Sequence, residues 1–487
     1  MKLTEIFAKY NRTDLLAGKV GELSRDTYRA YINLWLSWYR GNVRKFHYYK
    51  VYNGVKHVTQ RRRSAGMAKT VCEDWASLLL NEKTTIVIDD EATQAVVDDV
   101  LTRSKFRTKG NQGVEKAFAL GLGAFITRVD NLTVNKETGE VVNDGKATVR
   151  VEFVSGTRCY PFTVDDEDIT ECGFVTKHGK KVYISMHLLG DDGNYEIHNL
   201  VGTENTSGSI DIDEAAGYVF KTKSPRKWFQ IIRPNVANNI APDSPLGISI
   251  YANAIDQLET TDIVFDTFGV EYQYGRKRVY ASAEAMTISG DGDTRATFDE
   301  NDIVFYQFPK GAAIGSDDKP YVQESTGELR AEAFVSGMNE ALNFLSTRVG
   351  LGENRYKYDA SGITTATQVI SENSAMFRNV KKHEIIIDAA IRGLVDTIIY
   401  AASTFAGATV KQDATVKVQF DDSIIEDKTA ERERDRQDVA AGLMAKWEYR
   451  VKWYGETEEQ AKKWEADQKA ARPSLEDEFA LRFGTGG

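Results

Sequence analysis

The sequence predicts an α+β fold in which helical and β segments occupy separate stretches of chain. Three observations predict it. Apolar residues recur at helical spacing through most of residues 1–130, and again at 249–274, at 328–349 and beyond 364. Between about 147 and 232 the period switches to two, with Gly, Asp and Asn at the turns. A shorter β-like stretch, 276–326, lies between two helices, and no doubly wound strand–helix alternation appears, which removes most nucleotide-binding folds.

Each element follows from a local pattern. Ser24 is expected to cap a helix carrying Tyr28, Tyr31, Ile32, Trp35, Leu36 and Tyr39 on three- and four-residue spacing, ended by Gly41. A second helix follows Ser64, with Met67, Val71, Trp75 and Leu78 on one face. Thr84-Thr85-Ile86-Val87-Ile88 reads as a strand. Helix is expected again over 91–127, through Val96, Val97, Val100 and Leu101 and then from Val114 to Ile126. Alternation at 149–153, 182–186 and 195–198 gives antiparallel strands. Residues 249–274 contain no proline and a single glycine, Gly269, and read as one helix. Strand-like runs follow at 278–281, 302–308 and 321–323. The cleanest helix is 328–349, with Ala331, Phe334, Val335, Met338, Ala341, Leu342, Leu345 and Val349 on its apolar face and Gly350 closing it. A loop at 351–363 precedes a long helix opened by Thr364 or Thr365 and running to about Gly407. A strand at 415–420 and a charged helical C-terminus end the chain.

Composition narrows the function. The 487 residues allow two to four domains and an ample core. With 62 Lys+Arg against 72 Asp+Glu, the net charge of −10 excludes attachment to nucleic acid by bulk charge but leaves room for a local basic patch. Cys72, Cys159 and Cys172 are odd in number and lack CxxC spacing, so neither a disulfide framework nor a thiolate zinc site is expected. The six histidines are scattered, and no metal or other cofactor is expected. No run of 18 apolar residues exists, and the N-terminus shows no secretion signal, so no membrane partner is expected and the chain reads as made in a reducing cytoplasm.

Catalytic motifs are absent from the pattern. Gly121-Leu122-Gly123 and Gly350-Leu351-Gly352 start like dinucleotide loops but fail at the sixth position (Ile126, Arg355) and read as helix ends. The clusters Asp89-Asp90-Glu91, Asp165 to Asp168 and Asp421-Asp422 read as solvated turns, not a nuclease metal site. With no nucleophile–base pair, metal set or phosphate loop, no enzyme is expected.

Charge patterning is more informative. No Asp or Glu occurs from Thr27 to Cys72, whereas Arg40, Arg44, Lys45, Arg61, Arg62 and Arg63 belong to a basic run interleaved with aromatics. This pattern admits a nucleic-acid-binding module. The plainer reading puts the aromatics in the core and the cations against acidic surface on this or a neighbouring chain. The helix at 249–274 shows the reverse: Asp256, Glu259, Asp262, Asp266 and Glu271 with no Lys or Arg, within about half the circumference at 100° per residue. A solvated face normally mixes signs. An all-acid side suits a surface that repels an anion, over a helix about 35–40 Å long.

The residues Ser244-Pro-Leu-Gly-Ile-Ser-Ile-Tyr-Ala-Asn-Ala-Ile-Asp-Gln-Leu, with Asp262, Phe265 and Glu271 beyond them, resemble the first stem helix of portal proteins of long-tailed (siphovirus-type) double-stranded DNA bacteriophages. Gly350-Leu-Gly-Glu-Asn-Arg-Tyr and Gly362-Ile-Thr-Thr-Ala-Thr-Gln-Val-Ile-Ser-Glu-Asn-Ser are similar to the same family. So are Trp38-Tyr39-Arg40-Gly41 with Phe46-His47, Met67-Ala-Lys-Thr-Val-Cys-Glu-Asp-Trp-Ala-Ser-Leu, and Asp421-Asp-Ser-Ile-Ile-Glu-Asp-Lys with Ala441-Gly-Leu and Tyr454-Gly. The order of these motifs carries the resemblance.

The resemblance implies a portal fold: wing 1–245 plus the long helix 364–407, stem helices 249–274 and 328–349, clip 276–326, tunnel loop 351–363 and crown 425–487. It implies a homo-oligomeric ring, usually a dodecamer, at one capsid vertex of the virion, assembled in a bacterial host cytoplasm. Its channel would pass double-stranded DNA during packaging and ejection. Partners would be the terminase large subunit, a head–tail adaptor, and the major capsid and scaffolding proteins. In that frame the five stem acids line the channel and keep DNA off the wall. Arg355, Tyr356, Lys357 and Tyr358 form the tunnel loop, and Arg276, Lys277 and Arg278 make clip contacts. The alternatives are another head–tail connector ring or a nucleic-acid module built on residues 27–72.

Overall fold

The computed structural model describes residues 1–12, 27–52, 56–136, 138–142, 145–165, 168–274, 278–282, 287–288, 295–296, 305–308, 322–325, 330–357, 366–420 and 428–470. Helical and β segments separate as the α+β class requires. The chain divides into two compact units, residues 1–362 with 375–420, and residues 363–374 with 421–487.

The first unit opens with α1 (Leu3–Lys9), which buries Ile6 and Phe7. Then come α2 (Thr27–Tyr39), α3 (Arg44–His47) and a hairpin of β1 (Tyr48–Tyr52) and β2 (His57–Arg61). Ser24, expected to cap α2, lies outside the described residues. α4 (Met67–Leu79) buries the expected face, Met67, Val71, Trp75 and Leu78. β3 (Thr85–Ile88) leads to α5 (Glu91–Arg103), which Asp90 caps by accepting from the Thr93 N–H at 2.9 Å. A π-helical turn, Phe106–Gly110, joins α5 to α6 (Asn111–Leu120).

Helix does not continue to Ile126 as the apolar run suggests. β4 (Gly123–Asp130) is a strand between two others and is buried on both faces, so it lacks the alternation that marks a half-buried strand. Gly121 stops the helix at φ +75°. A Cβ there would lie 2.6 Å from the Gly247 carbonyl oxygen, so both the backbone angle and the close approach require glycine.

The strands after β4 are β5 (Thr133–Val134), β6 (Val141–Val142), β7 (Thr148–Ser155), β8 (Cys159–Asp165), β9 (Asp168–His178), β10 (Lys181–Leu189), β11 (Tyr195–Glu204), β12 (Ile210–Lys221) and β13 (Phe229–Ile232). Apart from β5 and β6, which pair with each other, they build with β4 a three-stranded sheet, β13-β4-β7, and a five-stranded antiparallel sheet, β12-β11-β10-β9-β8. Alternate residues of the larger sheet (Val182, Ile184, Met186, Leu188) pack on Ile6 and Phe7 of α1.

α7 (Ile255–Tyr274) follows a short 3-10 turn. β14 (Arg278–Ser282), β15 (Thr287–Ile288), β16 (Arg295–Ala296), β17 (Phe305–Phe308) and β18 (Val322–Ser325) fill the expected second β stretch, with β14 parallel to β17 and antiparallel to β18. α8 (Ala331–Arg348) ends before Gly350 at φ +85°. α9 (Ala366–Thr404) is one continuous helix, and β19 (Val416–Gln419) pairs with β3. Trp75 sits at the hub of this unit. Its indole N–H donates to the Val349 carbonyl at 3.2 Å, and its ring meets His383 at 4.7 Å and Phe118 at 6.2 Å.

The second unit contains α10 (Lys428–Ala441), α11 (Lys446–Tyr454) and α12 (Glu458–Ala470). Among its described residues only Ala461 is buried. Ion pairs and cation–aromatic contacts replace an apolar core. Asp435 accepts from the Trp453 indole at 2.8 Å and pairs with Lys452 at 2.7 Å, and the Arg450 guanidinium lies 4.0 Å over the Trp464 ring.

Candidate functional site

The charged helix α7 and the basic segment before α4 meet in the structure. His47 and residues 63–65 meet α7 and present it with backbone N–H groups, a hydroxyl and an imidazole. Asp262, 3% exposed, accepts from the Ala65 N–H at 2.7 Å and the Ser64 hydroxyl at 3.2 Å. The fully buried His47 places Nε2 at 2.9 Å from the other Asp262 oxygen. Because His47 Nδ1 accepts from the Val43 N–H at 2.8 Å, its Nε2 carries the proton given to Asp262. Asp266, 8% exposed, accepts from the Arg63 N–H at 3.1 Å.

The five acids expected on one outward face therefore divide: Asp262 and Asp266 are buried within their own subunit. A carboxylate loses too much hydration on burial to sit there without donors, and the acid-free segment supplies them. Glu271 is held by Arg330 just before α8, in a two-pronged contact at 3.1 and 3.0 Å that keeps its carboxyl below the ordinary range. Asp256 is exposed and Glu259 half-buried, so the outward acids of α7 are these two.

The basic patch also divides. Arg40, Arg44, Lys45 and Arg61 are exposed. Arg62 turns back, donating to the Phe46 carbonyl at 2.9 Å with its guanidinium 4.3 Å over the Phe46 ring. The Arg63 side chain is exposed and passes beside Gly269 of α7. Trp35 and Trp38 are buried in the core and offer no base-stacking surface, whereas Tyr48 and Tyr52 on the hairpin are exposed.

In the loop after α8, Tyr356 donates its hydroxyl to Asp74 of α4 at 2.7 Å, and Arg355 stands 3.6 Å from the same carboxylate. Burial, with Asp74 second, pushes the Tyr356 hydroxyl well above the usual tyrosine value. Both residues meet α4 of their own subunit, Tyr356 half-buried and Arg355 still exposed. Lys357 is exposed, and Tyr358 lies outside the described residues. Arg276 and Lys277 also lie outside them, and Arg278 opens β14. Reading the sequence missed His47, Ser64, Asp74 and Arg330 as partners. The available signal was complementary charge: an acid-free run and a base-free helix in one chain. Among the described residues no three His, Cys, Asp or Glu side chains gather as a metal site.

The model of the family described as "Phage portal protein, SPP1 Gp6-like" matches residues 24–474. The chain belongs to the phage portal protein family. That excludes the rival connector and isolated nucleic-acid module as the identity of this portal protein, and the family is a structural one. No curated protein matches it. Among solved structures it is similar to a chain of "Neck of native GTA particle computed with C12 symmetry", with TM-score 0.44 and 11% identity over 80% of this chain and 89% of that one. It is also similar to a chain of "Virion of native gene transfer agent (GTA) particle", with TM-score 0.39 and 10% identity over 79% and 88%. Likeness at that level assigns no residue of this portal protein a role.

Proposed function

We propose that this portal protein forms a closed ring, of twelve copies, at one capsid vertex of a phage particle. Its channel passes double-stranded DNA inward during packaging and outward during ejection. Its exposed ends dock the terminase large subunit and then the head–tail adaptor, while the major capsid and scaffolding proteins surround it. The family match over residues 24–474 carries this reading. Uncovered apolar side chains on the α7–α8 pair support it: Ile263, Val335 and Phe344 are 43%, 41% and 65% exposed in the single chain and call for a neighbour.

Within that ring the wing is 1–245 plus the long helix, the stem is α7 with α8, the clip is 276–326, the tunnel loop is 351–363 and the crown is 425–487. Asp256 and Glu259 supply the negative wall, and Glu271 contributes a charge already offset by Arg330. Like charge close to the wall keeps DNA from adhering. Lys357 is the cation of the loop left to meet a phosphate.

Electron microscopy of the purified protein tests the ring directly. Closed annular particles with a central hole are expected. Monomers or open filaments, at concentrations where the chain is folded, would sink the reading.

A further inference from the structure

Two flanks of α7 carry different structures. At 100° per residue, Asp262 and Glu271 point roughly 180° apart around the helix. On the Asp262 flank sits the base of the β1–β2 hairpin, fixed through His47 and Arg63. On the Glu271 flank sits α8, fixed through Arg330 and by Phe334 against Phe268 at 5.8 Å.

The described residues of the subunit leave most of the hairpin exposed. Four of the five residues in each strand are exposed. On one face of the ribbon Tyr48 and Tyr52 are 39% and 59% exposed, with Lys50 between them and Arg61 paired opposite Tyr48. A two-stranded ribbon with both faces in water is marginal by itself. α8 has the converse character. Glu332 and Glu340 are exposed, and so are Val335 and Phe344.

Subunits repeated head to tail around an axis set one flank of each copy against the opposite flank of the next. We propose that the basic hairpin of one copy docks on the outward side of α8 in the next copy. Lys50 and Arg61 face Glu332 and Glu340, while Tyr48 and Tyr52, on the same face of the ribbon, cover Val335 and Phe344. This assignment rests on the ring reading. It makes Asp262 and Asp266 positioning residues that set the angle at which the ribbon leaves its own subunit. Duplex DNA competes as partner for a basic ribbon, but a phosphate backbone leaves Tyr48 and Tyr52 in water, whereas α8 offers both charge and apolar surface.

Two single variants, Tyr52→Cys and Val335→Cys, are mixed, assembled and treated with a short bis-maleimide. Cys72, Cys159 and Cys172 are buried, so the reagent reports the introduced thiols. Cross-linked dimers containing one chain of each kind are expected from the mixture and not from either variant alone. Closed rings without that product overturn the docking while the ring stands; absence of any closed assembly in the native chain overturns the ring itself. In a second arm, Lys50→Glu with Arg61→Glu should lower ring yield about tenfold, since attraction becomes repulsion at every interface. Adding Glu332→Lys and Glu340→Lys to the same chain should restore it. Loss without restoration overturns the pairing, and undiminished rings that have lost salt-sensitive DNA binding assign the hairpin to DNA instead.

Discussion

In the unit formed by residues 1–362 with 375–420, Trp35, Trp75 and Trp228 are at most 1% exposed. In the unit containing α10–α12, Trp464 is 37% exposed and packs under an arginine. Two ways of using the same side chain are visible in one protein. The first excludes water and gains from area and close packing. The second keeps water near and gains from cation–aromatic and ion-pair contacts, which are smaller and salt-sensitive. The units should therefore fail under different stresses, and the sharpest way to break the comparison is to damage each in its own manner.

The largest effect is expected at Trp75. Trp75→Ala removes the ring that touches Phe118 and His383 and leaves the Val349 carbonyl without its donor. A loss of about 3–5 kcal/mol follows from the cavity alone. Guanidinium unfolding of the variant should show a midpoint far below that of the native protein. A shift smaller than that of an exposed substitution would mean that the hub is elsewhere.

Next in size is Asp262. Asp262→Ala strips acceptors from the half-buried Ala65 N–H and from the fully buried His47. That costs about 3 kcal/mol, because the donors stay buried. Asp256→Ala on the same helix, at an exposed position, should change stability by less than about 0.5 kcal/mol. Equal losses at the two positions, read by thermal unfolding, would erase the division between inward and outward acids of α7.

Acid should act on the first unit through its histidines, since none of the six lies in residues 421–487. His187 is fully buried between Phe174 and Phe229, with neither ring nitrogen hydrogen-bonded. Burial, with Arg128 adding to it, drives its pKa well below the ordinary histidine value. Burial also pushes His383 down to about 3, Lys382 contributing, while its Nδ1 accepts from the Asn235 N–H at 2.9 Å. Both rings are neutral in the folded state and take up protons once unfolded. Their contribution to stability is complete above about pH 6.5 and is lost as pH falls below it. From pH 7 to 5 the His383 ring alone should cost about 2 kcal/mol, and His187 should act in the same direction. His187→Phe, which abandons no hydrogen bond, should flatten that slope measurably. Parallel slopes for native and variant proteins would remove His187 from the account.

How much of this was legible beforehand depended on whether a signal was local. Met67, Val71, Trp75 and Leu78 declare a helix face by spacing alone, and α4 buries them. The run ending at Ile126 deceives because a strand buried on both faces has no alternation, so Phe125 and Ile126 look like more helix. The charge of α7 was legible, but its direction was not. Asp262 and Asp256 are the same residue type on one helix, and what separates them is His47 and Ala65, some two hundred residues earlier. A contact at that separation leaves no periodic trace. Tyr356 misled for the same reason: glycines around it suggest freedom, while Asp74 holds it down.

The smallest effect should come from the second unit, and its diagnostic is salt rather than size. Arg450 joins Glu456 at 2.7 Å and covers Trp464, so it acts both as a cation and as a flat apolar lid. Arg450→Met keeps much of the lid and removes the charge. If α11 and α12 hold together by charge, the variant should match the native protein in about 1 M salt, where screening acts within about 3 Å, and fall below it in dilute buffer. If the stacked stem is what matters, native and variant proteins should differ little at any salt concentration. Protease sensitivity near residues 455–458, followed across a salt series in both proteins, separates the two outcomes. Tryptophan fluorescence from Trp464 would report the same choice without cleavage, since a lost guanidinium cover exposes the ring to water while a retained thioether does not.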